Sequence, residues 1–183
     1  MNVPRILIAG VGNIFFGDDG FGVEVAQRLA ERPLSEGVRV VDFGIRGLDL
    51  AYALLDGYDA AILVDAVARG GAPGKLYVLE LDAAQDALND KAGLLIEPHT
   101  LDPARVLALV KSLGGNVGRM LLVGCQPQPP DPDDLRMELS EPVRAAVQES
   151  LDLIESLIEK LQRECSSGVE TLCAHPVGEG SEP

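Results

Sequence analysis

The stretch RILIAGVG, residues 5–12, is a short apolar run closed by Gly10 and Gly12, with no polar residue alternating along it. A strand covered on both faces reads this way, because neither side meets water, and such strands belong to parallel sheets packed between helices. Working outward, Phe21, Val25 and Leu29 recur at helical spacing to about Arg32, and Pro33 stops them. Val38 to Phe43 (VRVVDF) is a second strand. Gly44 and Gly47 then open a helix through Leu48, Ala51, Leu54 and Leu55, closed by Gly57. Asp59 to Val67 (DAAILVDAV) is a third strand with Asp65 near its far end. This alternation of strand and helix predicts a parallel sheet with helices on both faces.

Beyond the third strand, Gly70 to Gly74 is turn-rich and Lys75 to Leu81 (KLYVLEL) alternates like a strand. With no helix between, that strand is expected to be an antiparallel neighbour at an edge. Asp82 to Leu95 is weakly patterned and is expected to be mobile. Asp102-Pro103 suits a cap followed by the first helical position, and the helix it opens carries Val106, Leu107, Val110 and Leu113 to Gly114-Gly115. Arg119 to Gly124 (RMLLVG) is the last strand, and Gln126 to Asp134 is a loop rich in Pro and Asp. Ser140 is placed to cap a long final helix with Val143, Val147, Leu151, Ile154, Ile158 and Leu161 on one face. The expectation is one three-layer α/β domain over residues 1–165, its sheet five-stranded and mostly parallel, followed by a flexible tail over 166–183.

The formal charge is −14, from 15 basic and 29 acidic residues. Such a surface repels phosphate backbones and anionic lipid heads, so neither a nucleic acid nor a membrane is expected as partner. A cationic protein or a metal ion is easier to accommodate. No apolar run approaches the ~20 residues of a membrane helix, and the N-terminus reads as a strand rather than a signal peptide. Three cysteines form no spacing framework, which suits a reducing cytoplasm.

The first glycine turn invites a dinucleotide-binding reading, but that fingerprint requires a third glycine where Phe15 stands. Asp18 and Asp19 would also face the pyrophosphate, adding like charge where a helix N-terminus should attract an anion. What remains is a set of acids after equivalent strands: Asp18 and Asp19 after the first, Asp42 at the end of the second, Asp65 at the end of the third. Ligands of a parallel α/β sheet gather outside the carboxyl ends of its strands. His99 precedes the helix opened by Asp102-Pro103. Two carboxylates and an imidazole would suit a divalent ion such as Ni, Zn, Mn or Fe, with positions left open. Each acid also has a bland reading. Asp18 or Asp19 can serve as a helix cap, Asp42 can bond loop amides, and His99 can be an exposed loop residue. Asp65 is the hardest to dismiss, because it interrupts an apolar run where an unpaired carboxylate is costly to bury. Cys125 is a weaker candidate nucleophile and is expected to be a buried thiol. Cys165, Cys173 and His175 lack a scaffold around them, and the acids of the final helix (Glu149, Asp152, Glu155, Glu159) read as a solvated face.

In this order, the segments ILIAGVGNIFFGDDGFGV (6–23), VVDFGIRG (40–47), AILVDAV (61–67), PHTLDPARVL (98–107) and LLVGCQP (121–127) resemble the hydrogenase maturation endopeptidases. That family trims the C-terminus of nickel-containing hydrogenase large subunits, and the likeness runs from about residue 4 to 162. It implies Asp19, Asp65 and His99 as metal ligands. It also places Asp42 beside the cleft, for substrate recognition or chemistry, so that Asp19, Asp42 and Asp65 are the candidate catalytic acids. The nickel would belong to the substrate, a nickel-iron hydrogenase large-subunit precursor. Apart from the resemblance, the cysteine usage suits the cytoplasm and the lack of a long exposed apolar stripe in the sequence suits a monomer. Water would be activated by Asp42 or Asp65, or by the metal directly. A non-catalytic nickel checkpoint or carrier is the rival reading. The chain departs from the family pattern at Cys125, where Ile or Val is usual before Gln-Pro, and in its final residues.

Overall fold

The structure is a computed structural model that describes residues 3–81, 103–116, 118–129 and 137–167. Strand β1 (Ile6–Val11) leads through one turn of 3-10 helix (Gly17–Gly20) into helix α1 (Phe21–Ala30). Strand β2 (Val38–Gly44), helix α2 (Gly47–Leu54) and strand β3 (Ala60–Ala66) follow. Then come strand β4 (Leu76–Glu80), helix α3 (Pro103–Ser112), strand β5 (Arg119–Cys125) and helix α4 (Glu141–Ser167). The five strands form one sheet in the order β2-β1-β3-β5-β4. All neighbours are parallel except β4, which runs antiparallel to β5 at the edge.

Period-two alternation divides the core. Ile6, Ile8, Ile62, Val64, Leu121 and Val123 face α1 and α4, while Leu7, Ala9, Ala61, Leu63 and Leu122 face α2 and α3. Because β1 and β3 are buried on both sides, every residue counts toward a core, which is why their sequences show no alternation. Helix α4 contributes Val143, Val147, Leu151, Ile154, Ile158 and Leu161, all buried. Each such side chain stabilises the fold by about 1.5–3 kcal/mol before chain entropy is counted. Its outer face meets Arg32, which bonds Glu155 at 2.8 Å and Asp152 at 3.4 Å.

The three-layer α/β architecture, the five strands and the antiparallel edge strand are therefore as expected. Two details differ. Helix α2 buries Leu50, Ala51 and Leu54 and leaves Leu48 exposed, since the buried stripe follows the i+3, i+4, i+7 spacing counted from Gly47 rather than from Leu48. Helix α4 also continues through Ser167, two residues past the expected end of the domain at residue 165. The weakly patterned segment from Asp82, the cap Asp102 and the tail beyond Ser167 lie outside the described residues.

Candidate active site at the carboxyl edge of the sheet

The chain leaves β1 for β2 on one side and then crosses from β2 back over β1 to β3 on the other, so the direction of winding reverses between β1 and β3. In open α/β sheets such a switch point opens a crevice at the carboxyl ends of the strands. Asp19 and Asp65 flank it. Asp65 lies near the end of β3, level with Gly124 of β5, and is 4% exposed. Its Oδ1 accepts the Ala66 N–H at 2.8 Å. Burial, and then the nearby charge of Asp19, hold the Asp65 carboxyl well above the ordinary carboxylate range, with the Ala66 N–H pulling the other way.

Gly12 makes this approach possible. Its φ of 131° is open to glycine and hostile to other residues, and a Cβ there would overlap the Asp19 carbonyl oxygen and sit 3.8 Å from Asp65 Oδ1. Asp19 is tied back to the same turn, its Oδ2 accepting the Asn13 N–H at 2.7 Å. Gly22 serves the layer below. A Cβ on it would strike the Val64 and Val11 carbonyls, so α1 can lie against β1 and β3 only with glycine there.

Asp18 points elsewhere. It accepts the Ser140 N–H at 2.6 Å, the Ser140 hydroxyl at 2.8 Å and the Gln128 N–H at 2.8 Å. Neither acid caps the 3-10 turn or α1 through its side chain, so the capping reading gives way to a staple at Asp18 and a crevice position at Asp19. The Ser140 hydroxyl is spent on Asp18, while its carbonyl accepts the Arg144 N–H at 2.8 Å to start α4.

Asp42 is in phase with Val38 and Val40, which pack on the α1/α4 side, whereas Asp65 is in phase with Ala61 and Leu63 on the α2/α3 side. The Asp42 Oδ2 accepts a hydrogen bond from Gln27 Nε2 at 3.1 Å. Its carbonyl and that of Phe43 accept Arg46 at 2.5 and 3.1 Å, which fixes the corner into α2. The structure thus brings Asp19 and Asp65 together, while the Asp42 carboxylate is engaged by Gln27 beside the Gly12–Gly44 junction. His99, with Cys173 and His175, lies outside the described residues, and among the described residues no group of three His, Cys, Asp or Glu is arranged to hold a metal. The paired acids nonetheless fit one side of a cation site, because a buried carboxyl beside a second acid is relieved by a cation that displaces its proton.

Cys125 is fully buried, and desolvation, with the charges of Asp18 and Glu149, pushes its thiol up to about 12. A thiol held so far from its thiolate is no nucleophile. Cys165 is partly buried, its thiol also raised chiefly by desolvation. Two residues to which the sequence assigned no role shape the crevice. Asn13 folds the turn after β1, its carbonyl accepting the Phe16 N–H and its Oδ1 the Phe15 N–H, both at 3.0 Å. Gln126 is 7% exposed and its Oε1 accepts the Arg69 and Gly71 N–H groups at 2.7 and 3.2 Å, holding the β3–β4 connection. The signals were Asn at the head of a turn and an amide side chain directly after a buried strand.

No helix among the described residues is long and apolar enough to cross a membrane. A family model described as hydrogenase maturation protease matches residues 23–157. The chain is 36% identical over 152 residues to a hydrogenase expression/formation protein of Azotobacter vinelandii, a match covering 82% of this chain and 70% of that one. It is 30% identical over 167 residues to the Hydrogenase 2 maturation protease of Escherichia coli, covering 87% and 97%. The solved structure of the hydrogenase maturating endopeptidase HybD from E. coli superposes with a TM-score of 0.71 at 28% identity, covering 85% of this chain and 93% of that one. The chain belongs to the hydrogenase maturation protease family.

Proposed function

We propose that the protein is an endopeptidase that removes a C-terminal peptide from the nickel-loaded precursor of a nickel-iron hydrogenase large subunit, with the substrate's own nickel as the feature it recognises. The observation that carries this reading is the meeting of Asp19 and Asp65 at the switch point, one of them buried with its proton tightly held. Hard carboxylate oxygens, with the His99 imidazole that the resemblance supplies, are too poor in soft donors to strip nickel from substrate thiolates. They can complete coordination positions that the substrate leaves open. Nickel so placed would fix the scissile bond beside the acids, and positioning of that kind is worth several kcal/mol, up to about 7–11 for well-oriented groups.

Of the two acids considered for water activation, the placement favours Asp65 over Asp42. Asp65 is buried beside Asp19, whereas the Asp42 carboxylate is engaged by Gln27. With its proton displaced by the substrate's cation, the Asp65 carboxylate can take a proton from the attacking water and pass it to the leaving amine.

The test is incubation of the purified protein with a large-subunit precursor prepared with and without nickel, followed by intact mass measurement. Loss of a short C-terminal peptide from the loaded form alone is the expected result. Binding of loaded precursor without peptide release would replace the peptidase by a nickel checkpoint, and release irrespective of nickel would remove the recognition role. Asp19→Asn should keep the fold and lose nickel-dependent processing; processing at the parental rate would overturn its assignment.

A further inference from the structure

Six of the eleven large apolar side chains exposed among the described residues crowd onto two connections at the carboxyl edge of the sheet. Ile14, Phe15 and Phe16 stand on the turn after β1, with the two phenylalanines 64% and 66% exposed. Ile45 stands on the corner after β2, followed by Leu48 and Tyr52 one turn apart on the outer face of α2. The two connections are joined at their roots, where the Gly12 N–H donates to the Gly44 carbonyl at 3.1 Å.

Neither bank is frayed chain. The Asn13 turn is closed by its own carbonyl and side chain, and the Asp19 carboxylate anchors the Asn13 N–H. Ile45 is held in a corner where the Arg46 N–H bonds the Phe43 carbonyl at 2.9 Å and Gly44 takes a φ of 54°. Concentrated exposed apolar surface on ordered backbone marks an interaction site.

We infer that these two banks dock the apolar stretch of the precursor polypeptide that carries the bond to be cut, and this rests on the reading given above. Charge decides between the possible occupants. A second copy of the chain would set −14 against −14 and bring no cation to Asp19 and Asp65. A different polypeptide that brings apolar side chains to the banks and a cation to Asp19 and Asp65 meets the face with complementary charge. Because the Asn13 turn is bonded to Asp19, a chain seated on Phe15 and Phe16 is held in register with the acid.

The test compares cleavage of nickel-loaded precursor by the parent, by Phe15→Ser/Phe16→Ser, by Ile45→Ser/Leu48→Ser, and by Leu113→Ser as a control. Leu113 is an exposed apolar residue that follows α3, away from this edge. Both double variants should raise KM by about tenfold or more, as loss of buried aromatic or aliphatic anchors does, with kcat within about twofold. Leu113→Ser should match the parent. Unchanged KM in folded double variants of an active parent would overturn the inference. So would sedimentation showing a parental dimer that the double variants dissolve. If the parent releases no peptide, the proposed function fails, and precursor binding by fluorescence titration then decides this point alone. Weaker binding by the double variants would uphold the docking surface, and equal binding would sink it.

Discussion

Asp18 and Ser140 stand 122 positions apart in the chain, yet one carboxylate accepts both the backbone N–H and the hydroxyl of that serine, at 2.6 and 2.8 Å. The same carboxylate takes the Gln128 N–H, so one side chain gathers the exit of β5 and the start of α4 beside the residue that lines the crevice. Hydrogen bonds to a charged acceptor contribute about 1.5–3 kcal/mol each, less where solvent competes. Asp18→Ala should cost about 2–3 kcal/mol by chemical denaturation. Asp18→Asn, which keeps an oxygen acceptor, should cost less than half of that. Equal stability of Asp18→Ala and the parent would show that the staple carries nothing.

Gln126 holds the connection between β3 and β4 through two backbone donors, and its own backbone bonds Gly74 and Lys75 at 2.8 Å. Replacement by alanine leaves the Arg69 and Gly71 N–H groups without that acceptor, a loss of about 1–3 kcal/mol where the groups cannot rehydrate. The connection carries two sites for trypsin, at Arg69 and Lys75. Gln126→Ala should therefore be cut there faster than the parent under native conditions, as read by mass spectrometry of early fragments. Cleavage at the parental rate would argue against the clamp.

Asp65 gives a pH dependence whose sign is fixed by its environment. Its carboxyl holds a proton more tightly in the folded chain than in the unfolded one, first through burial and then through Asp19. The stability that this supplies is complete below the unfolded value, about 3.9, and is lost as pH rises toward the folded value. In metal-free protein, Asp65→Asn should therefore raise the melting temperature between about pH 5 and 8, and the gain should vanish below about pH 4. The same variant should lose nickel-dependent processing. A variant less stable than the parent at neutral pH would show that the ionised carboxylate is wanted by the apo fold.

Gly22 sits where α1 crosses β1 and β3, with the Val64 and Val11 carbonyls in the place of any Cβ. Gly22→Ala would have to push the helix off the sheet and disturb Phe21 and Val25 in the core. Overpacking of that kind costs about 1–3 kcal/mol, and more against rigid backbone. Denaturant titration should show the loss, and full stability would mean that the helix can shift freely.

The fold was legible because each element carries its own signal. The two-sided burial of β1 and β3 reads as unbroken apolar runs, and the stripe of α4 repeats at helical spacing over six buried positions. Helix α2 misled in part, since Leu48, Ala51 and Leu55 also fit a helical period and only the packing against α3 selects the face through Leu50 and Leu54. The acids were legible as candidates for the same local reason, each following a strand.

Sequence alone thus determined the layers, the polarity of the surface and the list of groups able to do chemistry, because those follow from local periodicity and composition. Their division of labour belongs to the tertiary structure. Asp18 and Asp19 are neighbours of one type, and nothing in their order says that one staples Ser140 while the other faces Asp65. That follows from which strands lie side by side and from the alternation that turns Asp42 toward Gln27. The raised proton affinity of Asp65 likewise arises from burial and a neighbour distant in sequence, and only the folded chain supplies both.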